Sequence, residues 1–538
     1  MDRSIKVKFK PLFSEKWYKI EDGFVSSSSK HCINDTTSGL NFLESKFNDF
    51  GIVRLLNNQE AILITDRFNT IPIYFAKINE TITITDSLPK ILNIFHWEFD
   101  KEVAVEHLLF DFTFTPFKTL YKGIYKVPAG TILKVLSDGS YKIMEQFSNI
   151  VPENSAIYPD FLFKEKTMEA KQRILDFIAP SDSFYIPVSG GLDSRIVLGI
   201  ASKYTGADIY SRTYGEKNSL DVKNGRRVAH KLDISHEIVT KSDTLAFEEF
   251  KKTVIETGGE LNGVHGHDLA GRDKFETGPH RAKISGFIGD LLARGTNLKV
   301  NYRDKNDAFD KFIIARTNFN YYNYNELLGE SSGTSKDFVN DIVNDHLDAV
   351  YKMYGNYESL TWDYYVTKRV GCMTSLLEFS THVTKPNYKP FIIPEIINFI
   401  ASNAGNDNWE GMGYAKFAQL LIPELMHVPL SSNSIFTSNT GMLKYKIGKR
   451  LSGRKNQIIS KITNGRIIPL SHNATLNWRA ILKRNPAWVS KYLKVASITF
   501  NLNSKYLEQI YQDHCTGKKA HEEFLLRVIS LGIISDTR

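Results

Sequence analysis

The chain has 538 residues, of which 42% are hydrophobic, 12% aromatic and 24% charged, with a formal net charge of +8. That length predicts two domains or more, and that composition excludes a disordered chain. No apolar run is long enough to span a bilayer, Met1–Lys6 lack the core of a secretory signal, and Cys32, Cys372 and Cys515 are too scattered for a disulfide framework or paired metal site, so a reduced, cytoplasmic location is expected.

To about residue 150 the chain reads as β. Strands are predicted at Gly51–Leu56, Ala61–Thr65, Ile71–Phe75 and Thr81–Thr85, with Asn57-Asn58 as a hairpin turn between the first two. Gly123–Leu133 holds a turn entering another strand, and Asp138-Gly139 turns a hairpin within Val135–Tyr141. The polar, proline-containing stretch Val151–Ser155 marks a boundary, which divides the chain into 1–155 and 156–538. A helix then ends before Ala179-Pro180.

Strand and helix signals alternate from there. Phe184–Val188 is a strand whose Pro187 falls at its end, where a missing ladder donor costs least. A helix follows Asp193 with apolar Ile196, Val197 and Ile200; then come strand Ala207–Tyr214, helix Ser219–Leu232 and strand His236–Val239. This βαβαβ pattern predicts a parallel sheet with helices on its faces. Beyond about residue 300 the chain reads as mainly helical, without repeats or low-complexity tracts.

The first of these turns, Ser189-Gly190-Gly191-Leu192-Asp193-Ser194, carries the most chemistry. A strand that ends in two glycines and opens a helix gathers bare N–H groups and a helix N-terminus at one point, which attracts phosphate. Asp193 adds a carboxylate where a magnesium ion bridging phosphates would sit. The competing reading, an ordinary glycine turn, suits a lone Gly-Gly better than this longer string.

Other features favour plainer readings. His265 and His267 beside Asp268 lack a third ligand at a recognised spacing, so a loop or cap role is expected. Asp221 is read as a helix cap, with a substrate role compatible. No acidic residue lies between Glu424 and Glu508, and fourteen Lys or Arg run from Lys444 to Lys505. Such a patch suits RNA, anionic lipid headgroups or an acidic substrate; with no nucleic-acid recognition motif beside it, a solvated basic surface or a poorly ordered substrate-gating segment is preferred.

Together these residues resemble the asparagine synthetase family over most of the chain. Ser189–Ser194 is similar to its pyrophosphate loop, and Ile284-Ser285-Gly286-Phe287-Ile288-Gly289-Asp290 to its second signature. Thr65–Tyr74 looks like its Asp-Arg-x-Gly-x-x-Pro-Leu-Tyr turn, with Gly123-Ile124 and Val127–Gly130 following as a comparable phrase. Lys389–Pro394 resembles the late Pro-Phe segment, and Leu421–Leu425 the helix end beyond it.

The resemblance implies an amidotransferase-type (Ntn-hydrolase-like) β-sandwich over 1–155. A parallel α/β pyrophosphate-loop synthetase domain, adenine-nucleotide α-hydrolase-like with a largely helical C-terminal part, would span 156–538. The implied activity is an ATP-dependent carbon–nitrogen ligase: a carboxylate is adenylated, pyrophosphate leaves, and an amine attacks. ATP and Mg2+ are the implied cofactors. Ser189, Gly190, Gly191, Asp193, Ser194, Tyr214, Gly215, Ser285 and Gly286 would bind ATP or pyrophosphate, and Asp193 and Asp290 the metal, although Asp290 also reads as a helix N-cap. Partners would be a small-molecule or peptide carboxylate and an amine donor; a homo-oligomer is compatible.

Three departures qualify the match. Where glutamine-hydrolysing members place a cysteine after the initiator methionine, this sequence has Asp2, and Cys32 is internal. No glutaminase activity is expected, so the amine comes from ammonia, another protein or the substrate itself. Phe287, Ile288 and Leu291 replace two glutamates and a glycine of the second signature, which points to the family's divergent members: β-lactam synthetases, lasso-peptide macrolactam synthetases, and amide-forming enzymes of surface-polysaccharide clusters. The lysine that would stabilise negative charge during the reaction is assigned to Lys416, with a solvent-facing role as its rival, or to Arg294, one turn after Asp290. A pyrophosphate-loop tRNA-modifying enzyme and a non-catalytic scaffold remain as alternatives.

Overall fold

The computed structural model describes residues 8–11, 18–20, 23–26, 51–56, 60–146, 158–266, 272, 275–293, 300–317, 323–328, 336–380, 385–404, 412–430 and 476–537. Asn57-Asn58, Val151–Ser155, Cys32, His267, Asp268 and most of the basic stretch lie outside them.

Among the described residues, ten strands come first: β1 Lys8–Pro11, β2 Tyr18–Ile20, β3 Gly23–Ser26, β4 Gly51–Leu56, β5 Glu60–Thr65, β6 Tyr74–Ile78, β7 Thr81–Thr85, β8 Ile124–Lys126, β9 Thr131–Leu136 and β10 Tyr141–Gln146. They form two sheets, ordered β1-β7-β6-β8 and β10-β9-β5-β4-β3-β2. Alternation along each strand sends every second side chain to one face. Val53, Leu63 and Leu133 lie side by side across β4, β5 and β9. With Val135 they meet Phe75, Ile82 and Ile84 of the four-stranded sheet in one apolar cluster.

The expected hairpin at Asp138-Gly139 forms, with Gly139 in the left-handed region at φ 89° and β9 antiparallel to β10. The expected strand at Ile71–Phe75 is corrected: pairing begins only at Tyr74. Pro72 has no N–H to give, and the residues before it are tied into a turn. The Asp66 carboxylate accepts from Phe68 N–H (2.8 Å), Thr70 N–H (3.0 Å) and the Thr70 hydroxyl (2.5 Å). Asn69, at the turn's crest, adopts φ 52°.

The second part is α/β. In chain order it has α1 Asp160–Ile178, β11 Ser183–Pro187, α2 Leu192–Tyr204, β12 Asp208–Tyr214, α3 Leu220–Lys231, β13 Ser235–Val239, β14 Ala282–Ile284, α4 Gly289–Ala293 and β15 Asn387–Tyr388. Later helices include α5 Pro394–Ala404, α6 Met412–Leu421, α7 Pro486–Phe500 and α8 Glu522–Asp536. The five strands form one sheet in the order β13-β12-β11-β14-β15. Every pair in it is parallel.

The two faces of this sheet differ. Phe184, Ile186, Ile209 and Ile284 join an apolar cluster with Ile174 of α1, Ile200 of α2, Ile397 of α5 and Phe417 of α6. The opposite face carries Tyr185, Tyr210, Arg212 and Tyr214. There Arg212 Nε donates to Glu237 at 2.7 Å, and the Tyr185 and Tyr214 hydroxyls are 2.8 Å apart. Buried polar groups of this kind persist because they satisfy one another.

A further cluster joins the two parts of the chain. Tyr74, Leu108, Leu109 and Phe112 pack in it with Phe250, Leu261, Val489, Leu525 and Ile529. The Asp66 turn adds polar ties to the π-helical stretch Tyr364–Thr374 and the residue after it: Asn69 Nδ2 donates to the Gly371 carbonyl at 3.4 Å, and Ser375 Oγ to the Phe68 carbonyl at 2.5 Å. Among the described residues no helix is long and apolar enough to cross a membrane.

Candidate functional site

β11 keeps pairing with β12 one residue past its end, through Val188 N–H to the Arg212 carbonyl at 2.8 Å. The chain then enters the glycine loop. Ser189 N–H donates to Ser194 Oγ (3.0 Å), Gly190 N–H to Asp221 Oδ1 (2.9 Å) and Gly191 N–H to Ser189 Oγ (3.2 Å). Gly191 is the N-cap of α2 and supplies no side-chain cap. The first amides of a helix seek acceptors and its dipole favours negative charge there, so this end suits an oxyanion. Asp193 stands in the same first turn.

The second signature meets the loop directly. A Cβ added to Gly286 would stand 2.8 Å from both Asp193 Cβ and Ser194 N, so only glycine lets the turn after β14 press against the start of α2. Ser285 extends the β14 pairing, its N–H donating to the Tyr388 carbonyl at 2.9 Å. The sequence motifs around Ser189 and Ser285 are thus adjacent at the carboxyl edge of a parallel sheet, where α/β folds bind ligands. Beside them, burial pushes the Glu378 carboxyl up, but Lys283, Lys389, Asn387 and Ser285 together hold it below the usual range.

Tyr214 and Gly215 end β12. The Tyr214 hydroxyl bonds Tyr185, the Lys241 ammonium lies 5.5 Å from its ring centroid, and Gly215 N–H donates to the Val239 carbonyl at 3.0 Å. Asp290 is the second residue of α4, following Ile288 at φ 61°. Its side chain, and Arg294 altogether, lie outside the described residues. Phe287 and Ile288, which replace polar or small residues of the resembled signature, are buried in the apolar cluster under the sheet.

Two assignments are corrected. Lys416 is not brought to the loop: its ammonium pairs with Asp160 of α1 at 2.6 Å and lies 4.5 Å from the Phe163 ring centroid, half-exposed. Helical phase explains this, because Lys416 is about 200° around α6 from Tyr414. Tyr414 is the α6 residue that reaches the loop, its hydroxyl donating to Asp193 Oδ1 at 2.8 Å. Asp221 does not cap α3, since Ser219 does so through Val222 N–H at 3.3 Å. Asp221 instead holds the loop through Gly190, and burial raises its carboxyl pKa against that hydrogen bond.

Arg195 was not singled out in the sequence. It is fully buried and donates to the carbonyls of Gly190 (3.3 Å), Leu425 (3.1 Å), Val428 (2.7 Å) and Pro429 (3.0 Å). Burial lowers its guanidinium to about 10. A cation in the helix pattern Ser194-Arg195-Ile196 gives no hint of this, because three of its four acceptors are more than 200 residues away. His265 Nε2 lies 2.7 Å from Oδ2 of Asp111, the residue that ends the helix Lys101–Phe110.

Among the described residues no three His, Cys, Asp or Glu side chains gather as a metal site. Magnesium bound with phosphates needs only one or two protein carboxylates, and the Asp193 carboxylate beside the helix N-terminus meets that requirement.

No family model and no curated protein matches this sequence. A solved structure similar to part of it is that of NMN synthetase from Francisella tularensis, at 15% identity, covering 38% of this chain and 97% of that chain with a TM-score of 0.21.

Proposed function

We propose that the chain is an ATP-dependent amide-forming ligase that adenylates a carboxylate, releases pyrophosphate and passes the acyl group to an amine. In this reading residues 1–155 form an amidotransferase-type β-sandwich and 156–538 the synthetase domain. The reading is supported above all by one observation: the Ser189–Ser194 loop opens α2 at the carboxyl edge of a parallel sheet, with Gly286 packed against Asp193.

The roles of the residues follow from position. The α2 amides and Ser189 bind phosphate oxygens, and Ser194 orders the loop through Ser189 N–H. Asp193 would hold magnesium, with Asp290 as a second carboxylate; the ion would neutralise charge on the departing pyrophosphate. Asp221 and Arg195 fasten Gly190 by its N–H and its carbonyl. A loop held at both peptide groups that flank one glycine loses little freedom when a nucleotide arrives, which preserves binding free energy.

The test is the nucleotide product. Full-length protein with Mg2+-ATP, candidate carboxylates and hydroxylamine as a trapping amine should yield AMP and pyrophosphate with a hydroxamate. Formation of ADP and phosphate instead would rule out adenylation. Product appearing only on tRNA would favour the modifying-enzyme alternative.

A further inference from the structure

We infer that Tyr414 is a positioning residue for the nucleotide loop, fixing the Asp193 carboxylate for a phosphate-borne magnesium ion, and that Gly289 is glycine to leave that hydroxyl room. The inference rests on the proposed reading and goes beyond it.

Tyr414 is 3% exposed. Its ring packs edge-on to Phe391 and parallel to Phe417, each centroid 6.1 Å away. Apolar walls fix the ring, and a buried phenol needs a partner for its O–H. That partner is Asp193 Oδ1, at 2.8 Å. The second signature closes on the same pair from the other side. A Cβ on Gly289 would lie 2.5 Å from the Tyr414 oxygen and 2.8 Å from Phe391, while one on Gly286 would lie 2.8 Å from Asp193 Cβ. The two glycines, three residues apart, therefore abut the two ends of one hydrogen bond.

Three segments distant in sequence thus meet on a single carboxylate: the loop at Asp193, the turn at Gly286–Gly289 and helix α6 at Tyr414. A carboxylate that ligates a metal works best when its own rotation is stopped by a hydrogen bond from a rigid neighbour. Tyr414 supplies that bond without a formal charge that would compete with the metal.

The experiment is calorimetric titration of full-length protein with ATP, once with Mg2+ and once with chelator, for wild type, Tyr414→Phe, Gly289→Ala and the double variant. Tyr414→Phe should weaken Mg2+-ATP binding about tenfold and change metal-free ATP binding less than about twofold. Gly289→Ala should reproduce that split, because its methyl group displaces the hydroxyl. In the double variant the two losses should fall short of additive, since phenylalanine removes the nearest atom that the methyl strikes and leaves its close approach to Phe391. Wild-type affinity for Mg2+-ATP in Tyr414→Phe, equal losses with and without metal, or additive losses in the double variant would overturn the inference. Should Gly289→Ala fail to fold, the Tyr414→Phe split still decides. Wild type that binds no ATP under either condition would instead overturn the proposed function itself.

Discussion

The Asp66 turn and the Ser189 loop both hang on carboxylates, yet one consumes its donors while the other leaves a helix end without a side-chain cap. Asp66 takes two backbone N–H groups and a threonine hydroxyl, and the turn then packs against Ser375 and Gly371. Glu106 repeats the device, accepting from Phe114 N–H (2.6 Å), Thr115 N–H (2.8 Å) and the Thr115 hydroxyl (2.6 Å). At the loop, Asp221 and Asp193 hold the flanks, and the N-cap position of α2 is a glycine. A saturated turn is scaffolding, whereas an uncapped helix start gains most from an external anion.

That contrast predicts different phenotypes for similar carboxylate changes. Asp66→Ala orphans three buried donors and should cost roughly 4 kcal/mol in urea unfolding, with nucleotide affinity of the folded fraction retained. A loss under about 1 kcal/mol would show that other acceptors replace the carboxylate.

Glu106 tests the same device through pH. Burial, opposed by its three hydrogen bonds, pushes its carboxyl from the ordinary 4.5 up to about 7. A raised folded pKa means stability that is fully present below about 4.5 and lost as pH rises through about 7. The difference corresponds to about 3 kcal/mol, at about 1.4 kcal/mol per pKa unit. Glu106→Gln should remove that slope between about pH 4.5 and pH 7, and an unchanged slope would assign it to another group.

Asp193→Asn should weaken Mg2+-ATP binding about a hundredfold, near 2.7 kcal/mol, and leave the melting temperature of the unliganded protein unchanged. The amide oxygen still accepts from Tyr414, so a large drop in melting temperature would make Asp193 scaffolding like Asp66. The smallest effect sharpens the other side: Thr70→Val removes one of the three Asp66 donors and should cost about 1 kcal/mol.

Local chemistry was readable from the sequence where short-range rules apply. Asp138-Gly139 sets a hairpin turn, closed by Leu136 N–H to the Ser140 carbonyl, and the alternation of Thr81–Thr85 sets a strand; both appear where expected. The strand–loop–helix spacing around Ser189 and the βαβαβ order follow from hydrophobic periodicity, and the parallel sheet bears them out. What escaped depends on partners far along the chain. Lys416 and Tyr414 are two residues apart on one helix, and which of them faces the loop depends on how α6 packs against α1 and the sheet. Arg195 looks like a surface cation until the carbonyls of Leu425–Pro429 surround it. The Tyr364–Thr374 stretch carries no signal that separates its wider winding from an ordinary helix.

The cluster uniting Leu108 and Leu109 with α8 bears on how the polypeptide matures at the ribosome. Arg527 donates to the Leu108 and Leu109 carbonyls at 3.0 and 2.8 Å, and Leu525 and Ile529 cover the apolar surface beside them. About 400 residues separate these partners, so at cellular elongation rates the early segment waits on the order of tens of seconds for its lid. Until α8 emerges, that surface is a natural client for holdase chaperones, and nascent chains stalled before it should be captured more readily than completed ones.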